Sequence, residues 1–337
     1  MRAARLTEIG GPEKLQIESV PQPIPQPGEV LIRLERAALN RRDLYITRGL
    51  YPRIRLPCTL GSDGTGTVAA HGPGVRAPAV GSPVVIDPQL GWDDDPAILN
   101  RRSELVGMPG DGTFAEFICV PACNVYPRPA GLTADEAAAI PLAGLTAYRA
   151  VFTRGGLRAD DAVLITGIGS GVQSFVLLYA KHAGARTVVT SSSDEKLSRA
   201  RALGADVTIN YRTTPDWHKA ARDATGGGPS LTVDSAGGET LARVLEIARV
   251  GGRIVTYGGT TGDATIRPYA LFWKHLTLMG TSMGSPDDFA KMLALFAGGL
   301  RPVVDCVVPL EAIHAGLAQL DDAAQFGKVV VAVDAVA

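Results

Sequence analysis

The stretch Ala162-Val163-Leu164-Ile165-Thr166-Gly167-Ile168-Gly169-Ser170-Gly171-Val172-Gln173 decides the fold of this chain. An apolar strand runs straight into a glycine-rich turn, and the apolar run at 175–182 then predicts a helix. Glycines here allow a sharp turn and a close approach of the backbone to a pyrophosphate, and the helix N-terminus offers N–H groups to the phosphates. The stretch therefore predicts a dinucleotide-binding turn formed by Gly167, Gly169, Ser170, Gly171 and Val172.

One feature of this turn departs from the GxGxxG pattern of dinucleotide sites. The third glycine is missing, because Val172 holds the sixth position and Gln173 follows it. The pattern by itself is weak, but a strand precedes it and a helix follows it, as the dinucleotide fold requires. The alternative is an ordinary glycine-rich connection between a strand and a helix.

Strands and helices alternate along the chain from about residue 131. Strands are predicted by the runs at 187–190, 207–209, 231–234, 253–257 and 277–279, and helices by those at 194–203 and 239–249. Thr133 and Glu136 have the spacing of a capping box and predict a helix start. This order predicts an α/β fold with a doubly wound parallel sheet. Before residue 125, short strands between glycines and prolines predict a barrel or sandwich, with a long loop at 87–112.

Composition excludes several classes of function. The chain has 337 residues, enough for about two domains, and its 33 basic and 34 acidic side chains give a net charge of −1. A neutral chain does not suit binding to nucleic acid or to an anionic membrane surface, and no apolar run has the length of a signal peptide or a membrane span. The four scattered cysteines do not predict a disulfide framework. We therefore expect a cytoplasmic protein.

The end of the second strand of the sheet predicts which nucleotide binds. An acidic residue there would bind the ribose 2′-hydroxyl of NAD, but the chain reads Thr190-Ser191-Ser192-Ser193 and has no acid before Asp194. Small hydroxyls leave room for a 2′-phosphate, and the candidate residues around it are Ser191, Ser192, Lys196 and Tyr211. This favours NADP(H) over NAD(H). The alternative for Lys196 is a place on a solvated helix face.

The motifs together resemble the medium-chain dehydrogenase/reductase superfamily over most of the chain. The resemblance is carried by residues 40–49, 57–66, 112–117, 143–148, 202–206, 209–212 and 251–253. It implies a GroES-like β-barrel catalytic domain made of residues 1–124 and 286–337, and a Rossmann domain at 125–285. It also implies hydride transfer with a nicotinamide nucleotide, a homodimer or tetramer, and contacts of Thr146, Gly258 and Gly259 with that nucleotide.

Within the superfamily the chain looks more like the zinc-less quinone oxidoreductases and enone reductases than the zinc alcohol dehydrogenases. In the zinc enzymes a cysteine ligand stands at the position of Asn40, a histidine ligand at Ser62, and the third ligand near Leu142. Catalytic zinc needs about three protein ligands, and none of these three positions offers a good one. The loop at 87–112 also holds no cysteine for a structural zinc site. We expect no bound metal.

Without zinc, other groups must stabilise the negative charge that hydride transfer leaves on a substrate oxygen. The resemblance makes Asn40, Tyr45 and Tyr51 the candidate catalytic residues, as hydrogen-bond donors or proton sources. The expected substrate is a small carbonyl compound, an enone or a quinone. The alternatives are a zinc-independent alcohol dehydrogenase, a reductase that tailors one natural product, and a protein that binds NADP(H) without turnover.

Overall fold

The computed structural model describes residues 1–92, 95, 97, 99–100 and 102–333, and the chain divides into two compact units. Unit 1 comprises Met1–Leu145 and the segment that begins at Gly284, and unit 2 comprises Thr146–Met283. Within the described ranges, none of the helices combines the length and the hydropathy that a membrane span needs.

The strands and helices follow one another from end to end of the described chain. The strands are β1 (Arg2–Leu6), β2 (Leu15–Ser19), β3 (Glu29–Ala38), β4 (Cys58–Thr59), β5 (Asp63–His71), β6 (Pro83–Ile86), β7 (Gln89–Leu90), β8 (Glu104–Leu105), β9 (Phe117–Pro121), β10 (Val125–Pro127), β11 (Ala162–Ile165), β12 (Arg186–Ser191), β13 (Val207–Asn210), β14 (Leu231–Asp234), β15 (Arg253–Thr256), β16 (Thr277–Gly280), β17 (Val304–Pro309) and β18 (Lys328–Ala332). The α-helices are α1 (Arg41–Thr47), α2 (Ala134–Ala139), α3 (Pro141–Tyr148), α4 (Gly171–His182), α5 (Asp194–Ala202), α6 (Trp217–Ala224), α7 (Gly238–Ile247), α8 (Pro268–Trp273), α9 (Pro286–Ala297) and α10 (Ile313–Asp321).

The boundary between the units falls later in the chain than the sequence interpretation puts it. The resemblance to the superfamily implies a boundary at residue 125, whereas unit 1 continues to Leu145 and so includes α2. The capping box at the start of α2 is present, since Thr133 Oγ1 accepts from the N–H of Glu136 at 3.1 Å. Ala138 and Ala139 of this helix pack with Ala38 of β3 in one buried cluster. Their small side chains let the helix lie close to the strand, which holds α2 in unit 1.

Unit 2 contains the predicted doubly wound sheet. All its strands are parallel, in the order β13-β12-β11-β14-β15-β16. Strand order reverses between β11 and β14, and the carboxyl ends of strands at such a point form the ligand site of open α/β sheets. The glycine-rich turn follows β11 directly, so the fold places this turn at the reversal.

Unit 1 is built on a mixed sheet in which three strand ends meet. Its order is β10-β6-β5-β3-β18-β17, and β9 also pairs with β3. Across this sheet, Ala38 at the end of β3 pairs with Asp63 of β5 on one side and with Val330 of β18 on the other. The end of β3 and the starts of β5 and β18 therefore lie side by side, which determines where the polar residues of unit 1 gather.

A buried carboxyl at the end of β6 predicts a pH-dependent loss of stability. Asp87 is 1 % exposed and accepts from the N–H of Gln89 at 3.0 Å. Burial raises the pKa of Asp87 to about 8. Because this pKa is higher in the folded chain than in the unfolded one, its stabilising contribution is complete below about pH 4 and is lost as the pH rises towards 8. We expect Asp87→Asn to gain stability over wild type by about 1.4 kcal/mol per pH unit in that window.

The measurement is the free energy of unfolding by urea, compared between the two proteins from pH 5 to pH 9. Asp160→Asn is the matched control, because Asp160 is exposed. A difference between Asp87→Asn and wild type that stays constant with pH would contradict the prediction.

Candidate active site

The glycine-rich turn of unit 2 has the backbone shape that a dinucleotide requires. Gly167 and Gly169 have φ values of 69° and 120°, in the region that residues with a Cβ rarely adopt. A Cβ on Gly169 would lie 2.8 Å from Cδ of Lys196, so the lysine side chain lies against the turn. The backbone N–H of Gly167 donates to Thr190 Oγ1 at 3.2 Å, which ties the turn to the end of β12.

Val172, at the position of the missing third glycine, lies in the first turn of α4. Gly171 and Val172 open α4, and the N-cap Ser170 accepts from the N–H of Gln173 at 3.3 Å. The Gln173 side chain is buried, and its Nε2 donates to the main-chain oxygens of Thr166 at 3.0 Å and Val233 at 3.2 Å. Gln173 therefore bridges the carboxyl ends of β11 and β14 and does not fill the turn.

The end of β12 carries hydroxyls and no free acid. Ser191 is its last residue, buried, and Ser192 follows half-buried. The first acid, Asp194, accepts from Nδ2 of Asn210 at 2.8 Å. Tyr211 is 42 % exposed, and its backbone N–H donates to the main-chain oxygen of Ser191 at 3.0 Å. The structure thus brings Ser191, Ser192 and Tyr211 to one edge of the sheet.

The three other predicted cofactor residues occupy separate places in unit 2. Thr146 is buried in α3, and its Oγ1 donates to Sδ of Met283 at 3.8 Å. Gly258 and Gly259 follow β15, and a Cβ on Gly258 would lie 2.9 Å from the main-chain oxygen of Ser235. Backbone proximity therefore explains a glycine at 258, while the contact of these residues with a nucleotide stays a prediction.

Asp234 is a buried carboxyl that the sequence reasoning missed, and its hydrogen bonds stabilise the carboxyl edge of the parallel sheet. Asp234 ends β14 and is fully buried; its oxygens accept from Thr166 Oγ1 at 2.7 Å and from the N–H of Gly237 at 2.9 Å. Burial raises the pKa of Asp234, although these hydrogen bonds oppose that shift. Its position at a strand end, before Gly237 and Gly238, is the signal that could have identified it.

The residues of unit 2 fit a dinucleotide. The turn between β11 and α4 has two glycines with positive φ, a capped twelve-residue helix begins directly after it, and Lys196 lies against it. The N–H groups of a first helical turn have no partner within the helix, and the positive end of the helix dipole favours phosphate. Such a nucleotide would be held by the turn, by the N-terminus of α4 and by Lys196.

Three polar side chains form a closed network at the strand ends of unit 1. Nζ of Lys328 donates to Oδ1 of Asn40 at 2.6 Å and to Oδ2 of Asp63 at 2.8 Å. Nδ2 of Asn40 also donates to Oδ2 of Asp63, at 2.9 Å. The other oxygen of Asp63 accepts from the backbone N–H of Leu142 at 2.7 Å. We call Asn40, Asp63 and Lys328 the polar triad.

Ser62 is held in a second group beside the polar triad. Its Oγ donates to the main-chain oxygen of Val106 at 2.8 Å, and Nη1 of Arg42 hydrogen-bonds both to that hydroxyl and to the same carbonyl. The guanidinium carbon of Arg42 lies 4.7 Å from the centre of the Tyr51 ring, within the range of a cation–π contact. Tyr51 is half-buried against the core, so this contact positions the second of the two candidate tyrosines.

The first turn of α1 holds the remaining candidate residues. Oδ2 of Asp43 accepts from the backbone N–H of Asn40 at 2.8 Å, which fixes the start of the helix. Asp43 is fully buried, and burial raises its pKa to about 6 against the opposing effect of Arg42. Tyr45 lies half-buried on the same helix. The structure thus places Asn40 in the polar triad, Tyr51 beside Arg42, and Tyr45 on α1; their catalytic roles stay predictions.

Lys328 is the residue of unit 1 that the sequence reasoning missed. It begins a strand that is buried along its whole length and otherwise apolar, Lys328–Ala332. A charged side chain at such a place is rare unless it is paired, and this contrast was the available signal. Its partner Asp63 lies 265 positions away in the sequence, and the two come together because β18 and β5 pair with opposite sides of β3.

Two family models match this chain over long segments. Residues 26–130 match the alcohol dehydrogenase GroES-like domain, and residues 171–298 match zinc-binding dehydrogenase. A curated relative, the zinc-type alcohol dehydrogenase-like protein YogA of Leptosphaeria maculans, is 36 % identical over 94 % of each chain. The chain therefore belongs to the medium-chain dehydrogenase/reductase superfamily, and it is an oxidoreductase with a GroES-like domain and a Rossmann-like parallel sheet.

Two solved structures have the same fold as this chain. A structure described as an NAD-dependent alcohol dehydrogenase is 40 % identical, with a TM-score of 0.93 over 99 % of this chain and 100 % of the other. The 2-octenoyl-CoA carboxylase reductase CinF, in complex with NADP and 2-octenoyl-CoA, is 26 % identical, with a TM-score of 0.88 over 96 % of this chain and 84 % of the other. These relatives support the superfamily without assigning the chain to its zinc-less quinone oxidoreductase branch.

The residues at the positions of the zinc ligands do not fit a zinc ion. Asn40 and Ser62 offer neutral oxygens that already accept hydrogen bonds from Lys328 and Arg42, and Leu142 offers no ligand atom in its side chain. An ammonium group lies against the Asn40 oxygen, where a second cation would be repelled. Among the described residues, no group of three His, Cys, Asp or Glu side chains could hold a metal.

Proposed function

We propose that this chain is a zinc-independent, NADPH-dependent reductase of α,β-unsaturated carbonyl compounds or quinones. The observation that carries the proposal is the polar triad, in which the Lys328 ammonium contacts the amide oxygen of Asn40, the residue that the resemblance puts at the position of the cysteine ligand of the zinc enzymes. The CinF relative, whose complex holds NADP and an unsaturated thioester, supports the substrate class.

The residues of unit 1 would act on the substrate oxygen. Bound NADPH would supply the hydride for the β-carbon of the substrate, so the residues of unit 1 would have to stabilise the negative charge that forms on the carbonyl oxygen and deliver a proton to the α-carbon. Asn40 is the candidate donor to that oxygen, because an amide N–H aimed at developing negative charge stabilises it. Tyr45 and Tyr51 are the candidate sources of the proton.

The choice of NADPH over NADH rests on the end of β12. The residue that directly follows the strand is the neutral Ser192, and the first acid, Asp194, accepts from Nδ2 of Asn210. An acidic side chain at this place would instead select the free ribose hydroxyls of NADH. The solved relative described as NAD-dependent supports the competing cofactor.

Chelators should leave the proposed reaction unchanged. We expect the purified protein to oxidise NADPH with a cyclic enone or a benzoquinone, at the same rate before and after treatment with 1,10-phenanthroline. Asn40→Ala is expected to lower kcat by about 100-fold, since removing one oxyanion donor has effects of that size. The measurement is the loss of NADPH absorbance, with the affinity for NADPH followed by its fluorescence.

Two results would contradict the proposed function. Inactivation that added zinc reverses would overturn the zinc-independent reaction. Tight binding of NADPH without turnover over a broad panel of enones, quinones and aldehydes would instead favour a binding protein without enzymatic activity.

Alcohol oxidation is the second candidate function. The names of the Leptosphaeria relative and of the solved relative with the TM-score of 0.93 both refer to alcohol dehydrogenase. The same donor groups would then face an alcohol, and the hydride would move to the nicotinamide. Reduction of NADP⁺ or NAD⁺ by a panel of primary and secondary alcohols, with the enone reaction absent, would favour this candidate.

We also propose a homodimer that forms through the edge strand β16. In the described part of unit 2, β16 pairs on one side only, with β15. Beside it in the sequence, α8 exposes Tyr269, Phe272 and Trp273, and the last is 70 % exposed. An open edge next to exposed aromatic residues is a liability unless another chain covers it. A second copy related by a two-fold axis would present the same edge in the antiparallel sense.

The double variant Phe272→Ser/Trp273→Ser should therefore sediment as a monomer under conditions where wild type sediments as a dimer. Leu50→Ser is the matched control, because Leu50 is 69 % exposed but lies in unit 1. Analytical ultracentrifugation makes the comparison. A monomeric wild type, or an unchanged double variant, would count against the interface.

A further inference from the structure

The hydrogen bonds of Lys328 use all its donors inside the protein. Its three N–H groups meet the main-chain oxygen of Leu39 at 2.8 Å, Oδ1 of Asn40 at 2.6 Å and Oδ2 of Asp63 at 2.8 Å. The lysine and the aspartate side chains are 2 % and 0 % exposed. Lys328 has no donor left for a substrate, so any effect on the reaction must pass through its neighbours.

Asn40 is the member of the polar triad through which such an effect would pass. It is 7 % exposed, more than either partner. Its amide is fixed at both ends, with Oδ1 on the ammonium and one N–H on Asp63, while the second N–H faces the main-chain oxygen of Ala38 at 3.4 Å. That last contact is long for a hydrogen bond, so this N–H is the one that a stronger acceptor could take.

We infer that Lys328 is a positioning residue for the reaction, and this inference rests on the proposed function. Its ammonium fixes which end of the Asn40 amide is oxygen and which is nitrogen. It also draws electron density from the amide, because hydrogen bonds in a chain polarise one another. The Asn40 N–H thereby becomes a stronger donor to a substrate oxygen.

A purely structural role is the competing explanation for the Lys328–Asp63 pair. Buried ion pairs are weak evidence for stability, since replacing both charges with neutral groups of similar size is often neutral or stabilising. Removing one charge alone leaves the other buried without a partner and destabilises the fold. The two explanations therefore differ in what removal of both charges does to the reaction.

Two variants separate these explanations. Lys328→Met removes the ammonium alone, and Asp63→Asn/Lys328→Met removes both charges while it keeps the side-chain shapes. We expect both variants to lose about 100-fold in kcat, with KM and the NADPH affinity within about threefold of wild type. The double variant should recover the thermal stability that the single variant loses, and if the single variant does not fold, the double variant alone decides.

Lys181→Met is the matched control. Lys181 also pairs with an aspartate, Asp206 at 2.8 Å, and contacts a main-chain oxygen, but it lies in unit 2 on α4. Its loss should leave kcat unchanged. A double variant at 63 and 328 that recovers both stability and kcat would overturn the positioning role and leave the pair as a structural contact.

A readout without turnover keeps this test separate from the proposed function. The chain has four asparagines, at 40, 100, 124 and 210, so selective ¹⁵N labelling gives four side-chain amide pairs. The pair that disappears in Asn40→Ala belongs to Asn40, and in Lys328→Met we expect its two protons to move upfield and broaden. Unchanged Asn40 resonances would overturn the inference, whereas a wild type inactive on every carbonyl would overturn the proposed function.

Discussion

Gly169→Val is expected to weaken the binding of NADPH at least 100-fold, equivalent to about 2.8 kcal/mol. Gly169 has a φ of 120°, and a Cβ there would lie 2.8 Å from Cδ of Lys196. The valine would therefore displace the lysine and also occupy the space in which the backbone approaches the pyrophosphate. Fluorescence titration with NADPH measures the loss of affinity, and thermal unfolding shows whether the fold remains.

The control for Gly169→Val must carry the same backbone strain at another place. Gly227 has a similar φ, 111°, but no atom lies within 4 Å of its would-be Cβ. Gly227→Val should lower stability by a comparable amount, about 1–3 kcal/mol, without any effect on NADPH. Equal affinities of the two valine variants would show that the turn between β11 and α4 is not the phosphate site.

The part of the fold in which strands and helices alternate could be predicted because the sequence patterns that indicate it each span only a few residues. The apolar runs of β11, β12 and β14 and the cap residue Thr133 each act over a few residues, and the structure confirms the parallel sheet that they predict. The position of the unit boundary could not be predicted in this way. It depends on the packing of Ala138 and Ala139 against β3, a contact between segments far apart in sequence.

In the candidate site too, residues that are close together in the sequence could be predicted and residues that are far apart could not. The glycine turn lies within one continuous stretch, so its residues could be identified before the structure. The polar triad joins residues 40, 63 and 328, and the sequence reasoning considered only the first as a catalytic donor. The sequence interpretation treats Asn40 as a donor to the substrate oxygen, whereas the structure commits one N–H to Asp63 and its oxygen to Lys328. A buried lysine becomes a meaningful signal only when strand pairing shows what it contacts.

Ser192→Asp should reverse the nucleotide preference that we propose. Ser192 follows the last residue of β12, where an acidic side chain would bind the ribose 2′-hydroxyl of NADH and repel the 2′-phosphate of NADPH. Like charges placed directly against each other cost several kcal/mol, so we expect the affinity for NADPH to fall about 100-fold while that for NADH holds or improves. Titration of both nucleotides by fluorescence, followed by kcat/KM with each, makes the comparison.

Ser198→Asp is the matched control, because it adds the same charge at an exposed position further along α5. A general electrostatic effect on a phosphate ligand would appear in both variants, whereas a contact with the 2′-phosphate would appear only at 192. If Ser192→Asp lowers the affinities for NADPH and NADH equally, the ribose does not bind at the end of β12. A wild type that already prefers NADH would contradict the proposed cofactor, and the absence of an acid at this strand end would then need another explanation, such as ribose contacts from Asn210 or Tyr211.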